Sequence, residues 1–263
     1  PHVADSIFKM MCAKEKNLSV LYHHRFLSVV RKGKKITGAT FLNMLTNEKI
    51  IIRARQTIEA TELGDVISSA KMPFSLGMES GEETGENVGV TATISIIQDL
   101  TWVAILKDYG IGADKTIPRP GNYFPEEFDG SCTDYYNDKT IKAPTVNASK
   151  MLDYAKLPNG KYMINWPIRG NDTYLNVIPL LPTEREIELE KAKQQTLRFV
   201  YFIQTQLGFK HLGLAVDEFP TKDHLALIPY HRESRRVKGV TRFTINHIAK
   251  PFDYNLYRTG ISV

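Results

Sequence analysis

The chain has little cysteine, with Cys12 and Cys132 as its two cysteines in 263 residues. Two cysteines do not make a disulfide framework, and the Cys-x-x-Cys spacing of a redox pair is absent. No apolar run approaches the roughly 20 residues that a helix needs to cross a bilayer. The motifs Gly-x-Ser-x-Gly and His-Glu-x-x-His are also missing, so nothing in the sequence indicates a serine hydrolase or a zinc protease.

Concentrated charge is scarce as well. The 34 basic and 29 acidic residues leave a net charge of +5, and the basic residues are scattered apart from residues 31–35 and 232–238. Because no nucleic-acid-binding pattern accompanies this charge, we expect no nucleic-acid partner. We also expect no membrane partner. His23, His24 and Asp65 lack the further ligands that a metal site needs, so no metal site is predicted.

The first third of the chain has the pattern of a β-meander. Strands are predicted over Phe26–Val30, Ile36–Leu45 and Lys49–Arg53, with turns at residues 31–35 and 46–48. Leu18–Tyr22 is a further strand signal, and the residues before it suit a short amphipathic helix. The sequence therefore predicts a helix followed by antiparallel strands in this region.

A strand, turn and helix follow the meander. Ile58–Thr61 is predicted as a strand, and Gly64–Ala70 can start a helix. A glycine at such a turn lets the backbone approach a bulky ligand closely, although short joints of this kind are also common without a ligand.

The longest predicted helix runs from Glu184 to Leu207. Thr183 and Glu186 have the spacing of a capping box, and Gly208 fits a C-terminal stop. Its broad apolar stripe predicts a helix that docks on the core.

Two polar blocks are candidates for chemistry, and the first is residues 165–172. It places an indole, a guanidinium, an amide and a carboxylate within eight positions. In one interpretation Trp166 belongs to the core, and Asn171 and Asp172 cap the next segment. In the other, Arg169, Asn171 and Asp172 face a cofactor and its substrate.

The second block is residues 228–236, in which one glutamate, Glu233, is surrounded by three cations: Arg232, Arg235 and Arg236. Arginine binds planar anions through paired hydrogen bonds, so the cluster suits a carboxylate substrate or phosphate groups. Glu233 neutralises one of three arginines, which predicts further anionic partners. The alternative is an Arg–Glu network that braces the fold. His231 is a candidate proton donor, although a lone histidine is more often structural.

These segments resemble a family of bacterial FAD-dependent oxidoreductases with a glutathione-reductase-type FAD-binding domain. The likeness is carried by the Ala-Thr-x-x-Gly-Asp turn at residues 60–65, the aromatic-x-x-Gly-x-Glu segment at 74–79, the Asn-Trp-Pro-x-x-Gly-Asn-Asp block at 165–172 and the Tyr-x-Arg-Glu-Ser-Arg-Arg block at 230–236. They occur in the family's order, and the likeness extends over roughly residues 1–263. In such a domain a meander follows the dinucleotide-binding βαβ unit.

The resemblance implies an enzyme in which FAD accepts a hydride from a polar or anionic small-molecule substrate, since a flavin performs the electron chemistry itself. The residues implied for cofactor binding are Phe26 at the adenine, Ala60 and Thr61 beside the pyrophosphate or ribose, and Arg235 and Arg236 at the phosphates. An inward strand position explains Phe26 equally well. The residues implied for catalysis are Arg169, Asn171, Asp172, His231 and Arg232.

The sequence departs from the family pattern at both ends. Members begin with a Gly-x-Gly-x-x-Gly turn, whereas here Gly110-Ile111-Gly112 is followed by Lys115 where a third glycine is needed. The segment that contacts the flavin after the last strand is absent. Because the chain opens on Pro1, we expect an internal fragment of a longer protein. The chain alone is expected to be inactive, with FAD absent or substoichiometric.

The predicted fold class is α+β or mixed α/β. Residues 1–70 and 240–263 are expected to be the remnant of an FAD-binding domain, with residues 71–239 inserted as a substrate or cap domain. Ile58–Thr61 should then adjoin Leu256–Val263, and Arg169 should share a cleft with at least one arginine of residues 232–236. The alternative function is a non-enzymatic module that binds carbohydrate or a polyanion through Trp166, Tyr174 and the arginines, without a cofactor.

Overall fold

The structure is a computed structural model that describes residues 2–87, 90–239 and 242–250. The chain divides into two compact units, each built from two stretches of sequence. Unit 1 comprises Pro1–Ser19 and Asp99–Arg232, and unit 2 comprises Val20–Gln98 and Glu233–Val263. This division is based on contacts within the chain and does not show which unit binds a cofactor. The predicted division into an FAD-binding remnant and a cap domain therefore stays a prediction.

Both units contain helices and strands. The helices are α1 (His2–Lys14), α2 (Asp65–Ser69), α3 (Gly81–Thr84), α4 (Ala148–Asp153), α5 (Pro182–Thr205) and α6 (Ile245–Ala249), with a 3-10 turn at Pro125–Phe128. The strands are β1 (His24–Lys32), β2 (Lys35–Asn43), β3 (Lys49–Arg53), β4 (Phe74–Ser75), β5 (Leu100–Thr101), β6 (Ala104–Asp108), β7 (Lys156–Leu157), β8 (Lys161–Ile164), β9 (Asp172–Thr173), β10 (Leu212–Leu214) and β11 (Arg236–Val237). This mixture confirms the predicted α+β class. None of the helices in the described part of the chain has the length and apolar character needed to cross a bilayer.

The predicted meander is confirmed in unit 2, where β1, β2 and β3 form an antiparallel sheet in chain order. Phe26 lies opposite Phe41, which in turn lies opposite Ile50, so these apolar side chains share one face. Helix α2 also lies where a helix was predicted, and it packs beside β1. The Val29 amide donates to Ser69 Oγ at 3.1 Å, which fixes the helix against the strand.

Two predicted strands are wrong. Leu18–Tyr22 and Ile58–Thr61 are irregular, although both are rich in β-branched or apolar residues. In Ile58–Thr61 and the turn that follows, backbone amides bond to nearby side chains and not to a neighbouring strand. The Thr61 amide donates to Glu59 Oε1 at 2.5 Å, and the Asp65 amide donates to Thr61 Oγ1 at 2.9 Å. Such local bonds compete with strand pairing. The expected neighbouring strand, Leu256–Val263, lies outside the described residues.

Unit 1 is organised around an antiparallel sheet with the order β10-β6-β8-β7 and around helix α5. The largest fully buried aromatic side chains are Phe128, Phe199 and Phe202, of which two lie on α5. Their ring centroids are 5.0 to 6.0 Å apart, so they form one aromatic cluster. The prediction of a core-docking helix is therefore confirmed.

The N-terminus of α5 differs from its prediction. The helix begins at Pro182, and the Leu181 amide donates to Glu184 Oε2 at 3.0 Å. The predicted capping pair of Thr183 and Glu186 is therefore wrong. Proline is suited to the first helical position because its fixed φ matches the helix and its missing N–H needs no partner there. The proline therefore sets the start of the helix two residues earlier.

The amphipathic helix predicted before Leu18 is present as α1. None of its residues is buried, and its apolar side chains are exposed, including Phe8 at 65%. On its polar side, His2 Nδ1 lies 3.1 Å from Glu218 Oε2 in unit 1.

Candidate functional site

Arg232 lies at the centre of a polar cluster in unit 1, which we call the Arg232 cluster. Its Nη2 lies 2.9 Å from Thr101 Oγ1, 3.1 Å from Asn165 Oδ1 and 3.2 Å from Asp172 Oδ1. Its Nη1 donates to the Asp99 carbonyl at 2.8 Å. The guanidinium therefore joins segments that are far apart in sequence.

Strand pairing holds this cluster in place. Thr101 of β5 lies opposite Asp172 of β9, and the Thr101 hydroxyl donates to the Asp172 carboxylate. The Thr101 and Tyr230 backbones also exchange two hydrogen bonds, of 3.1 and 2.7 Å. As a result, the loop that carries Arg232 is fixed beside the two strands.

The Arg232 cluster is only partly open to solvent. The Asp172 side chain is 9% exposed, and that of Arg232 is 21% exposed. The Arg232 guanidinium also lies over the Tyr230 ring, 5.0 Å from its centroid, and Tyr230 is itself exposed. The cluster thus presents a cation beside an exposed aromatic ring, which is suited to a polar or anionic ligand.

Asn171 is placed in the interior, where it organises the turn of residues 165–171. It is fully buried, and its Oδ1 accepts from the Trp166 amide at 2.9 Å. Its Nδ2 donates to the Trp102 and Ile164 carbonyls at 3.2 and 2.9 Å. The amide is therefore used inside the protein, and its predicted catalytic role stays a prediction without a contact to support it.

Arg169 is held on the surface by this rigid turn. It is exposed, with a left-handed φ of 49°, a conformation that is unfavourable for a residue other than glycine. Hydrogen bonds from Thr140 lower the pKa of the neighbouring Asp138 carboxyl, and the charge of Arg169 lowers it further. Arg169 is thus brought near Asp138, and no described contact joins it to Arg232. The predicted cleft that would join Arg169 to Arg235 or Arg236 crosses from one unit to the other and stays a prediction.

His231 is half-buried beside Arg232. Burial, followed by the positive charge of Arg185, lowers the pKa of His231 to about 4. The imidazole is therefore neutral at pH 7. In that state it can accept a proton, or donate a hydrogen bond through one ring nitrogen. Its predicted role as a proton donor stays a prediction.

Arg235 and Arg236 lie in unit 2, and each has carboxylate partners there. Arg235 Nη1 lies 3.2 Å from Asp65 Oδ1, and the residue is 8% exposed. Arg236 lies 2.6 Å from Glu233 and 3.1 Å from Glu79. Carboxylates of the chain therefore lie where the sequence analysis expected the anions of a ligand. That expectation had counted Glu233 as the one acidic partner of the arginines.

The remaining predicted cofactor contacts also lie in unit 2. Phe26 is partly buried against Phe41 in an edge-to-face pair with 6.1 Å between centroids, as the strand interpretation expects. Ala60 and Thr61 are exposed, and the Thr61 hydroxyl is used at the Asp65 amide. No contact decides the predicted cofactor roles of these residues.

Sequence reasoning missed several members of these clusters. Thr101, Asp65 and Glu79 carried no assigned role, although each binds one of the arginines. No local signal identifies them, because their partners lie at least 130 residues away in the chain. Within the described residues, no group of three or more histidine, cysteine or acidic side chains is placed to hold a metal ion.

Comparison with known protein families matches residues 1–261 to the family described as FAD dependent oxidoreductase. The matched residues belong to both compact units. No curated protein and no solved structure gives a significant match to this chain.

Proposed function

The chain belongs to the FAD-dependent oxidoreductase family, and from this we propose that the intact protein oxidises a polar or anionic small molecule by hydride transfer to FAD. The observation that carries the proposal is the family match across residues 1–261. We also propose a glutathione-reductase-type FAD-binding domain that is interrupted by an inserted substrate domain. The meander β1–β3 supports this part of the proposal, because such a domain contains one.

The described residues do not fit the pyrophosphate of FAD. Arg235 and Arg236 are paired with carboxylates of the chain, and Asp65 places a negative charge directly after the Gly64 turn. A phosphate at that turn would lie beside the Asp65 carboxylate, and it would compete with that carboxylate for Arg235. The sequence also has no Gly-x-Gly-x-x-Gly turn to supply backbone donors. We therefore do not assign the pyrophosphate to Arg235 or Arg236.

Substrate binding is proposed for Arg169 and the Arg232 cluster. Arg169 is exposed and always charged, and the buried Asn171 holds its turn rigidly. Arg232 and Asp172 form a partly open ion pair beside Tyr230, to which a substrate hydroxyl or carboxylate can hydrogen-bond. Rigid presentation of such groups is what orients a substrate for reaction.

The alternative module, which binds carbohydrate or a polyanion without a cofactor, is not favoured. The family match is to oxidoreductases. In addition, Trp166 is 7% exposed and its Nε1 donates to the Ser131 carbonyl, so its ring is not a platform on which a sugar can stack.

The oxidoreductase proposal is tested on the intact protein under anaerobic conditions. Purified protein should show the flavin absorbance band near ~450 nm. A panel of hydroxy acids, polyols and amines should include a compound that bleaches it. The 263-residue chain should carry much less than one FAD per molecule, because the phosphate-binding turn is missing. Protein that shows no flavin band after incubation with FAD would overturn the proposal.

The role of Arg169 is tested with Arg169→Ala in the intact protein. Removing a cation that binds an anionic substrate should lower kcat/KM. The loss of transition-state binding calculated from that decrease should be about 2–4 kcal/mol. Thermal stability should stay nearly unchanged, because Arg169 is exposed. Lys191→Ala removes another exposed cation and is the matched control. If Arg169→Ala turned over substrate normally but lost thermal stability, the residue would be a structural brace.

A further inference from the structure

Unit 2 depends on a segment that returns after more than 130 residues. Its first stretch ends at Gln98, and its second begins at Glu233. Among the described residues, strands β11 and β4 pair between these stretches, with Arg236 opposite Ser75 and Val237 opposite Phe74. A ribbon of two residues on each side is too short to be stable by itself. Side chains of residues 233–236 add further contacts between the two stretches.

Glu233 provides the first of these side-chain contacts. Its Oε1 accepts from the Gly77 amide at 2.8 Å, and its Oε2 accepts from the Gln98 amide at 3.0 Å. Arg236 Nη1 donates to the same carboxylate at 2.6 Å. The Glu233 side chain is only 10% exposed, so these are charge-assisted bonds shielded from water. One carboxylate thus joins both ends of the 77–98 segment to the returning segment.

Arg235 provides the second set of contacts, at the Gly64 turn. Its Nη1 donates to the Leu63 carbonyl at 2.7 Å and to Asp65 Oδ1 at 3.2 Å, on either side of Gly64. The guanidinium also lies over the Phe74 ring, 5.4 Å from its centroid. The arginine therefore holds the turn from both of its flanks.

Gly64 is needed for this contact. Its φ is 67°, which is the left-handed region, and a Cβ added to it would lie 2.9 Å from Arg235 Cβ. An alanine at this position would be strained in its backbone and would also push against Arg235. The close approach predicted at this glycine is thus made by the chain's own arginine.

We propose that residues 233–237 form a closing segment that locks unit 2, in which Arg235 clamps the Gly64–Asp65 turn instead of binding a phosphate or substrate anion. This inference depends on contacts inside unit 2 and holds whether or not the proposed oxidation reaction is correct. It assigns Arg235 and Arg236 a role in fixing the fold. Arg232 remains the arginine of residues 228–236 that is proposed for substrate binding.

The clamp is tested by hydrogen exchange of the backbone amides in residues 63–70. Arg235→Met should speed their exchange by about tenfold, the size expected for loss of a charge-assisted hydrogen bond. Asp65→Asn should produce part of the same effect. Because the two residues act through one contact, the double variant should exchange no faster than Arg235→Met alone. Trp102 and Trp166 both lie in unit 1, so their fluorescence shows in each variant that unit 1 is still folded.

Pyrophosphate and ADP are the probes for the competing role. Each is titrated against the 263-residue chain while the melting temperature is measured, and neither should stabilise the chain at millimolar concentration. Arg235→Lys keeps the charge but loses the planar fork, so it should also speed exchange, and it serves if Arg235→Met does not fold. The proposal is overturned if Arg235→Lys or Asp65→Asn leaves exchange unchanged, or if pyrophosphate stabilises the parent and this effect is lost in Arg235→Lys.

Discussion

The buried ion pair of Lys161 and Glu218 offers a prediction whose size can be worked out. Lys161 lies on β8, with its Nζ 2.6 Å from Glu218 Oε1 and 2.8 Å from Asp217 Oδ2. The Lys161 and Glu218 side chains are 7% and 6% exposed, whereas Asp217 is half exposed. We predict that Lys161→Met strongly destabilises unit 1, because the ionised Glu218 would then be buried without its main partner.

The pKa of Glu218 gives the magnitude. Burial alone would raise it, but hydrogen bonds, of which the one from Lys161 is the strongest, lower it from 4.5 to about 2. At about 1.4 kcal/mol for each pH unit, this difference corresponds to about 3 kcal/mol of folding free energy. Loss of one partner of a buried ion pair typically costs a similar amount. We therefore expect Lys161→Met to lower the free energy of unfolding by about 3 kcal/mol at pH 7.

The same pair fixes the direction of the pH dependence. Because the folded-state pKa of Glu218 lies below its unfolded value, its stabilisation is fully present above pH 4.5 and is lost as the pH falls towards 2. At pH 3 roughly 1.4 kcal/mol of the parent's stabilisation should remain. The difference between parent and Lys161→Met should therefore shrink to about half or less of its value at pH 7.

Urea unfolding followed by tryptophan fluorescence is the assay, since both tryptophans lie in the same unit as Lys161. The control is Lys191→Met, whose partner Glu188 is 34% exposed and whose own side chain is 60% exposed. Breaking that surface pair should cost less than about 1 kcal/mol. The reasoning is refuted if Lys161→Met unfolds at the parent's urea concentration at pH 7, or if its deficit is the same at pH 3.

Two further predictions concern buried groups in unit 1. Asn171→Ala should lower the free energy of unfolding by about 3 kcal/mol in the same urea assay, because buried partners of the amide lose their hydrogen bonds; an unchanged midpoint would contradict this. In the native chain one thiol should react quickly with a thiol reagent and two should react in denaturant. Cys12 is partly exposed, whereas Cys132 is fully buried and burial raises the pKa of its thiol. Equal rates for both thiols in the native chain would refute that expectation.

The confirmed predictions concern elements whose signals are local. The meander is specified by alternating apolar residues and by turn residues a few positions apart, and α5 is specified by its stripe and by Pro182. The two wrong strand predictions share one cause. Leu18–Tyr22 and Ile58–Thr61 have strand-like residues, but a strand forms only where a partner is available, and side-chain bonds turn the second segment instead.

The candidate site divides along the same line. Residue types and order are sufficient to identify the family and to single out the block 230–236, because arginines, a glutamate and an aromatic residue occur there together. Their partners follow from long-range folding: Arg232 meets Asp172 across 60 residues, and Arg235 meets Asp65 across 170. The sequence around an arginine does not predict which distant carboxylate will pair with it. That pairing is set when β4 meets β11 and β5 meets β9, because these contacts bring separate stretches of chain within hydrogen-bonding distance.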